Sequence, residues 1–190
     1  MNIGVTGEGP TDYGKADYGN PGKWIEGPIQ VYLRRIAVDN NVKLNLEVID
    51  RAEIQKIKLQ RRQLNGISGK AIPARKFYIK CKENKIDHGV YYCDADRAAG
   101  ESNSNIHQLE KRHNEIYDEV KVGMYDDNNF IPAIPCRMIE NWMLADENNI
   151  RELFCEIAET QNLEKVRENC GISFERFYDD YVKLLENSRI

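Results

Sequence analysis

Two short stretches of the 190-residue chain carry acids where they could do chemistry: GVTGEGPTDYG, residues 4–14, and YYCDAD, residues 91–96. In the first, an apolar run ends in a Gly-Glu-Gly-Pro-Thr-Asp loop that presents Glu8 and Asp12. In the second, a run of strand-forming residues closes on Asp94 and Asp96. Two positions apart on an extended chain, Asp94 and Asp96 share a face and can reach one ion. Glu140 follows a third apolar run, FIPAIP. Carboxylates collected in one place repel unless a cation neutralises them. Oxygen-only donors suit the hard cations Mg²⁺ or Mn²⁺, which keep several waters and bind substrate phosphates as well.

Each stretch also has a plainer reading. Gly, Pro, Thr and Asp are good turn formers, and Thr11 could cap a helix. As a phosphate cradle the loop lacks the G-x-G-x-x-G spacing of dinucleotide sites, and it lacks the Gly-Lys-Ser/Thr ending of a P-loop. A lone D-x-D occurs equally in sugar-nucleotide transferases, phosphatases and solvated turns. The pair of stretches says more than either alone.

The elements that must position these acids alternate. Residues 2–7 read as a strand, followed by a polar loop through Tyr13, Gly19, Pro21 and Gly22. The helix-like spacing from Trp24 to Val38 is expected to start its helix at Gly27-Pro28 and to stop at Asp39-Asn40-Asn41. KLNLEVID alternates with period two, a strand ending near Asp50. Arg51 to Leu64 is mostly helical, Gly66, Gly69 and Pro73 interrupt it, and ARKFYIKCKEN forms a second basic helix. HGVYYCDAD is the most strand-like segment. A long helix over Ser104–Gly123 and the strand FIPAIP come next, and the residues to Ile190 read as helical, in three segments broken near Asn162 and Gly171-Ile172. Strands that are near-continuous apolar runs between helices predict an α/β fold with a mostly parallel sheet. In such sheets ligands bind beyond the carboxyl ends of the strands, which is where Glu8, Asp94, Asp96 and Glu140 fall.

Composition narrows the classes. Hydrophobic residues at 41% and charged residues at 31% suit a globular protein, and no apolar stretch nears the roughly 20 residues that span a bilayer. The first residues show no basic n-region or long apolar core, so a cytoplasmic location without membrane contact is expected. Five cysteines without ligand or CxxC spacing read as buried apolar residues. His88, His107 and His113 show no triad partner by spacing, and His113 belongs to a packing face. The net charge of −4 hides an asymmetry: Arg51 to Lys85 holds eleven basic residues against Glu53 and Glu83. Such a basic segment is either a solvated face or the footprint of contact with a phosphate backbone. Arg61, Arg62, Lys70, Arg75 and Lys76 are its candidate nucleic-acid contacts, and Arg97 beside the DAD strand could touch a scissile phosphate or pair with its neighbouring aspartates.

A strand ending in GEGPTD followed later by one ending in YYCDADRAAG resembles the toprim domain of topoisomerases, primases, OLD-type nucleases and small toprim ribonucleases. MIENWMLAD, after FIPAIPCR, is similar to a motif of small toprim-related bacterial proteins, some associated with phage defence. The resemblance covers roughly residues 2–146. It implies a toprim-like domain over 1–146, with a basic helical insertion at about 51–85, and a helical extension over 147–190 packed on it. Glu8 would ligate metal or act as general base, Asp94 and Asp96 would be metal ligands, and Asp12 matches the second acid of the first motif. Glu140 and Asp146 match acids of the third. The separation of Glu8 from Asp94 is longer than a minimal toprim core, and the basic segment accounts for much of it. The implied activity is Mg²⁺- or Mn²⁺-dependent hydrolysis of phosphodiester bonds in DNA or RNA, by a homodimer or beside a partner ATPase subunit. The competing expectation is a non-catalytic subunit that binds Mg²⁺ and nucleotide or holds a complex together. A D-x-D transferase is the third.

Overall fold

The computed structural model describes residues 1–20, 22–95, 106–135 and 163–187. Its centre is β1 (Asn2–Thr6), a strand with four of five residues buried. β4 (Asn45–Val48) pairs with it on one side and β5 (His88–Tyr92) on the other, both parallel; β6 (Phe130–Ala133) extends the sheet beyond β5, also parallel. The order is β4-β1-β5-β6, so the fold is α/β with a parallel sheet, as the alternation of elements predicts. Among the described strands β6 lies at an edge, where Pro132, which has no N–H for the ladder, is tolerated.

Helices cover both faces of the sheet. Ile3, Val5, Val90, Tyr92, Ile131 and Ala133 meet α2 (Pro28–Asp39) and α7 (Leu163–Asn187) on one face. Tyr91, Cys93 and Phe130 meet α3 (Arg51–Lys56), α5 (Ala71–Glu83) and α6 (Ile106–Gly123) on the other. Glycines make the second contact close: a Cβ at Gly4 would sit 2.7 Å from Cys81 Sγ, and one at Gly89 3.0 Å from the Phe77 ring. Burial also pushes the Cys81 thiol up to about 12, which suits the expected inert, apolar cysteine.

Four details depart from the expectations. The loop after β1 holds a single helical turn, α1 (Pro10–Tyr13), and a small antiparallel pair of β2 (Lys15–Ala16) with β3 (Trp24–Ile25), so Trp24 belongs to a strand. The basic stretch breaks into α3 and α4 (Arg61–Leu64). α5 begins at Ala71 and runs through Pro73, because the N–H groups of a first turn have no intrahelical partner to lose. α7 is one helix of 25 residues through Gly171 rather than two. Phe177, Tyr181, Leu184 and Leu185 bury it against the sheet face. At about 2 kcal/mol for each such side chain, α7 carries a sum comparable with a domain's whole stability and is part of the core.

α7 is also tied to α6. Tyr117 Oη donates to the Asp180 carboxylate, the Arg176 guanidinium lies 3.5 Å from the centre of the Tyr117 ring, and Arg176 Nη1 donates to Asn114 at 2.9 Å. His113 is buried there, and burial, then the Arg176 charge, hold its pKa below the ordinary 6.5 despite opposing hydrogen bonds to Asn114 and the Ile134 backbone. The folded state therefore binds this proton less well than the unfolded one, so the contribution is complete above pH 6.5 and is lost as pH falls from 6.5 through the folded value. Thermal melts across that window should show the midpoint falling toward acid, and His113→Gln should flatten the slope; an unchanged slope in the variant would remove His113 as its source.

Candidate functional site

The parallel register brings β1 and β5 out of the sheet side by side. Thr6 is aligned with Tyr91, so Glu8 and Asp94 follow at neighbouring strand ends. β4 ends beside them: Ile49 N–H donates to Val5 O at 2.8 Å, and the buried Thr6 hydroxyl donates to Ile49 O at 2.7 Å. Asp50 then caps α3, accepting from Ala52 N–H at 2.6 Å. All three chain ends are thus held against one another before any functional group is reached.

The acids divide between the two faces of that edge. Asp12 folds back on its own loop and accepts from Gly9 N–H at 2.8 Å. A Cβ at Gly7 would lie 2.9 Å from Asp12 Cβ and 3.2 Å from Tyr92 Cδ1, so glycine lets α1 and the Tyr92 ring close over the strand end. The Tyr92 hydroxyl in turn donates to Asp94 Oδ1. This group lies on the face packed by α2 and α7.

Glu8 faces the other way. Its Oε1 accepts from Lys70 Nζ at 2.6 Å, and its backbone carbonyl accepts from Arg51 Nη1. The ion pair is about a quarter exposed on both partners, which joins the turn before α5 to the loop after β1. Beside it opens a cavity of about 210 Å³ between the β1 end, α3 and the first turns of α5. Among the described residues, Arg51, Lys70 and Lys76 bring positive charge to it and Glu8 the only carboxylate, while Ile54, Ile72, Pro73 and Tyr91 form apolar wall. Burial, then the neighbouring Cys93 and Glu8, raise the Tyr91 phenol far above its usual range, so this wall is neutral.

Of the other expected residues, Asp96, Arg97, Glu140 and Asp146 lie outside the described residues. Among the described residues no group of three or more His, Cys, Asp or Glu comes together. Glu8, Asp12 and Asp94 remain, carboxylates of the chemistry that hard cations take. Arg61 and Arg62 are exposed on α4, and Lys76 Nζ reaches Gln55 O at 3.4 Å on the cavity wall. Arg75 departs from its expected role on a nucleic-acid surface: it is buried. It donates to Gly123 O, to Val122 O at 2.6 Å and to Gln63 O at 3.5 Å, and lies 3.3 Å from the centre of the Tyr125 ring. It closes the C-terminal end of α6, whose last carbonyls have no partner within the helix. The missed residues include Arg51, Ile54, Gln55, Ile72, Tyr91 and Tyr92; of these Arg51 left a trace in the sequence as part of the basic run, whereas apolar wall is indistinguishable there from core.

No family model, no curated protein and no solved structure matches the chain. No described helix is long and apolar enough to cross a membrane.

Arg75→Leu leaves those carbonyls unpaired, which should lower unfolding stability by about 2–4 kcal/mol in denaturant titrations. Nucleic-acid affinity of the folded variant should be unchanged. A large affinity loss at full stability would return Arg75 to the binding surface.

Proposed function

We propose that this protein is a divalent-metal-dependent phosphodiesterase of toprim-like design that hydrolyses DNA or RNA at the carboxyl edge of its parallel sheet. The observation that carries the reading is the pairing of acids with a cationic cleft: Glu8 and Asp94 leave adjacent strands, and Arg51, Lys70 and Lys76 line the cavity next to Glu8. Asp94 and Asp96 would hold one Mg²⁺ or Mn²⁺ and Glu8 would orient a second, with Asp12 and Glu140 as further candidate ligands; the metal would relieve charge on the phosphate oxygens and acidify the attacking water. The chain's own residues do the rest. Lys70 releases Glu8 when a phosphate offers it a better partner, and Glu8 then orients the water or takes its proton. Tyr92 holds one oxygen of Asp94 and so fixes the direction of the carboxylate. Arg51 and Lys76 grip the backbone, with Arg61, Arg62 and Arg97 extending the track.

The ion pair between Glu8 and Lys70 also favours a second reading, a non-catalytic module that binds Mg²⁺-nucleotide or supports a complex, because a carboxylate held by an ammonium is not free to take a proton from water. Thermal stabilisation by Mg²⁺ without cleavage of any oligonucleotide would select it.

With labelled DNA and RNA in Mn²⁺, the parent protein should cleave and Asp94→Asn should lose on the order of 100-fold in rate; undiminished cleavage by the variant would sink the assignment. Binding of a single strand should weaken with salt at a log–log slope of about −2 for the contacts of Arg51, Lys70 and Lys76, rising toward about −4 as Arg61, Arg62 and Arg97 add theirs, and Lys76→Gln should reduce its magnitude by about 0.7. A flat dependence in filter binding would exclude backbone contact.

A further inference from the structure

The cavity beside Glu8 has more apolar wall than an anion site requires. Arg51, Lys70 and Lys76 suffice for a phosphate, yet Ile54, Ile72, Pro73 and the neutral Tyr91 stand behind them. A purely apolar ligand would add nothing for the three cations beyond the Glu8 and Gln55 contacts they already make, and an inorganic anion would leave the wall wet. The chemistry that satisfies both is a flat apolar ring system joined to a phosphate. Size points the same way: about 210 Å³ is below the roughly 300–1,000 Å³ of pockets that enclose whole small ligands, so the cavity takes one unit of a longer molecule. The exposed Gln55 on its rim has a side-chain amide able to donate to and accept from a base edge.

Building on the phosphodiesterase reading, we propose that this cavity receives one unpaired nucleotide of the substrate strand. The base lies against Ile54, Ile72 and Tyr91, and its phosphate meets the three cations at the mouth. A paired base cannot enter without leaving its stack, so the cavity selects single-stranded segments or frayed ends over intact duplex. It also sets the register of the strand, because a seated nucleotide puts its phosphate beside Glu8.

The test is binding in EDTA, where no cleavage occurs, using the full chain and a short labelled single strand. Adenosine 5′-monophosphate should displace the strand at about tenfold lower concentration than inorganic phosphate, the contribution expected of one buried base. Ile72→Trp, which fills the cavity, should erase that preference. Gln55→Trp blocks the same mouth from an exposed position and should do likewise if Ile72→Trp fails to fold. Equal displacement by the two competitors, or a preference that survives in the folded blocking variants, overturns the nucleotide site. Cleavage in Mn²⁺ is scored separately: a preference that the variants erase, in a protein that never cleaves, upholds the site while the phosphodiesterase reading falls. Cleavage without any preference overturns the site alone.

Discussion

The structure depends on β1 being paired in parallel on both sides while buried on both faces. A strand so placed cannot be joined to its neighbours by tight turns, because parallel neighbours need a crossover long enough to return the chain to the starting edge. α2 makes that return between β1 and β4, and α3, α4 and α5 make it between β4 and β5. The strand ends consequently gather at one edge, and the segments leaving them carry polar groups there. That Glu8 and Asp94 leave adjacent strand ends thus follows from a hydrophobic requirement that involves neither residue.

The same alternation that packs the sheet divides the edge. Tyr92 belongs to the core under α2 and α7 and directs its hydroxyl at Asp94, while Tyr91 belongs to the core under α5 and becomes a wall of the Glu8 cavity. Neighbouring tyrosines on one strand therefore serve two compartments. The basic segment is divided as well. Arg75 is consumed by helix-end carbonyls, Lys82 lies 5.0 Å from the centre of the Phe130 ring, and Lys70 is held by Glu8. Much of the charge that looks like a binding surface holds the fold together.

The main elements were legible in the sequence because their burial is regular. HGVYY and NIGVT are continuous apolar runs, and the start of α2 at Gly27-Pro28 follows from backbone chemistry alone. Failures came where local rules met tertiary packing. Gly171 looked like a break, but a helix whose following turns bury Phe177, Tyr181 and Leu184 gains far more from packing than the roughly 1 kcal/mol a glycine costs. Pro73 looked like a breaker and sits in a first turn. For the site, the acids and the cations of Lys70 and Lys76 were visible as residue types at strand ends and in a charged run. That Lys70 would find Glu8, 62 positions away, and that Arg75 would turn inward, were not, because neither contact has a signature in spacing.

The Glu8–Lys70 contact has an electrical consequence for whatever enters the cleft. A cation arriving alone must dislodge an ammonium, and an anion arriving alone must dislodge a carboxylate; either exchange strips one charge of its partner in a place only partly open to water. A cation and an anion arriving together satisfy both at once. In the proposed reaction the loop after β1 and the turn before α5 would thus act as an ion-pair exchanger, taking a metal and a phosphate together more readily than either ion alone.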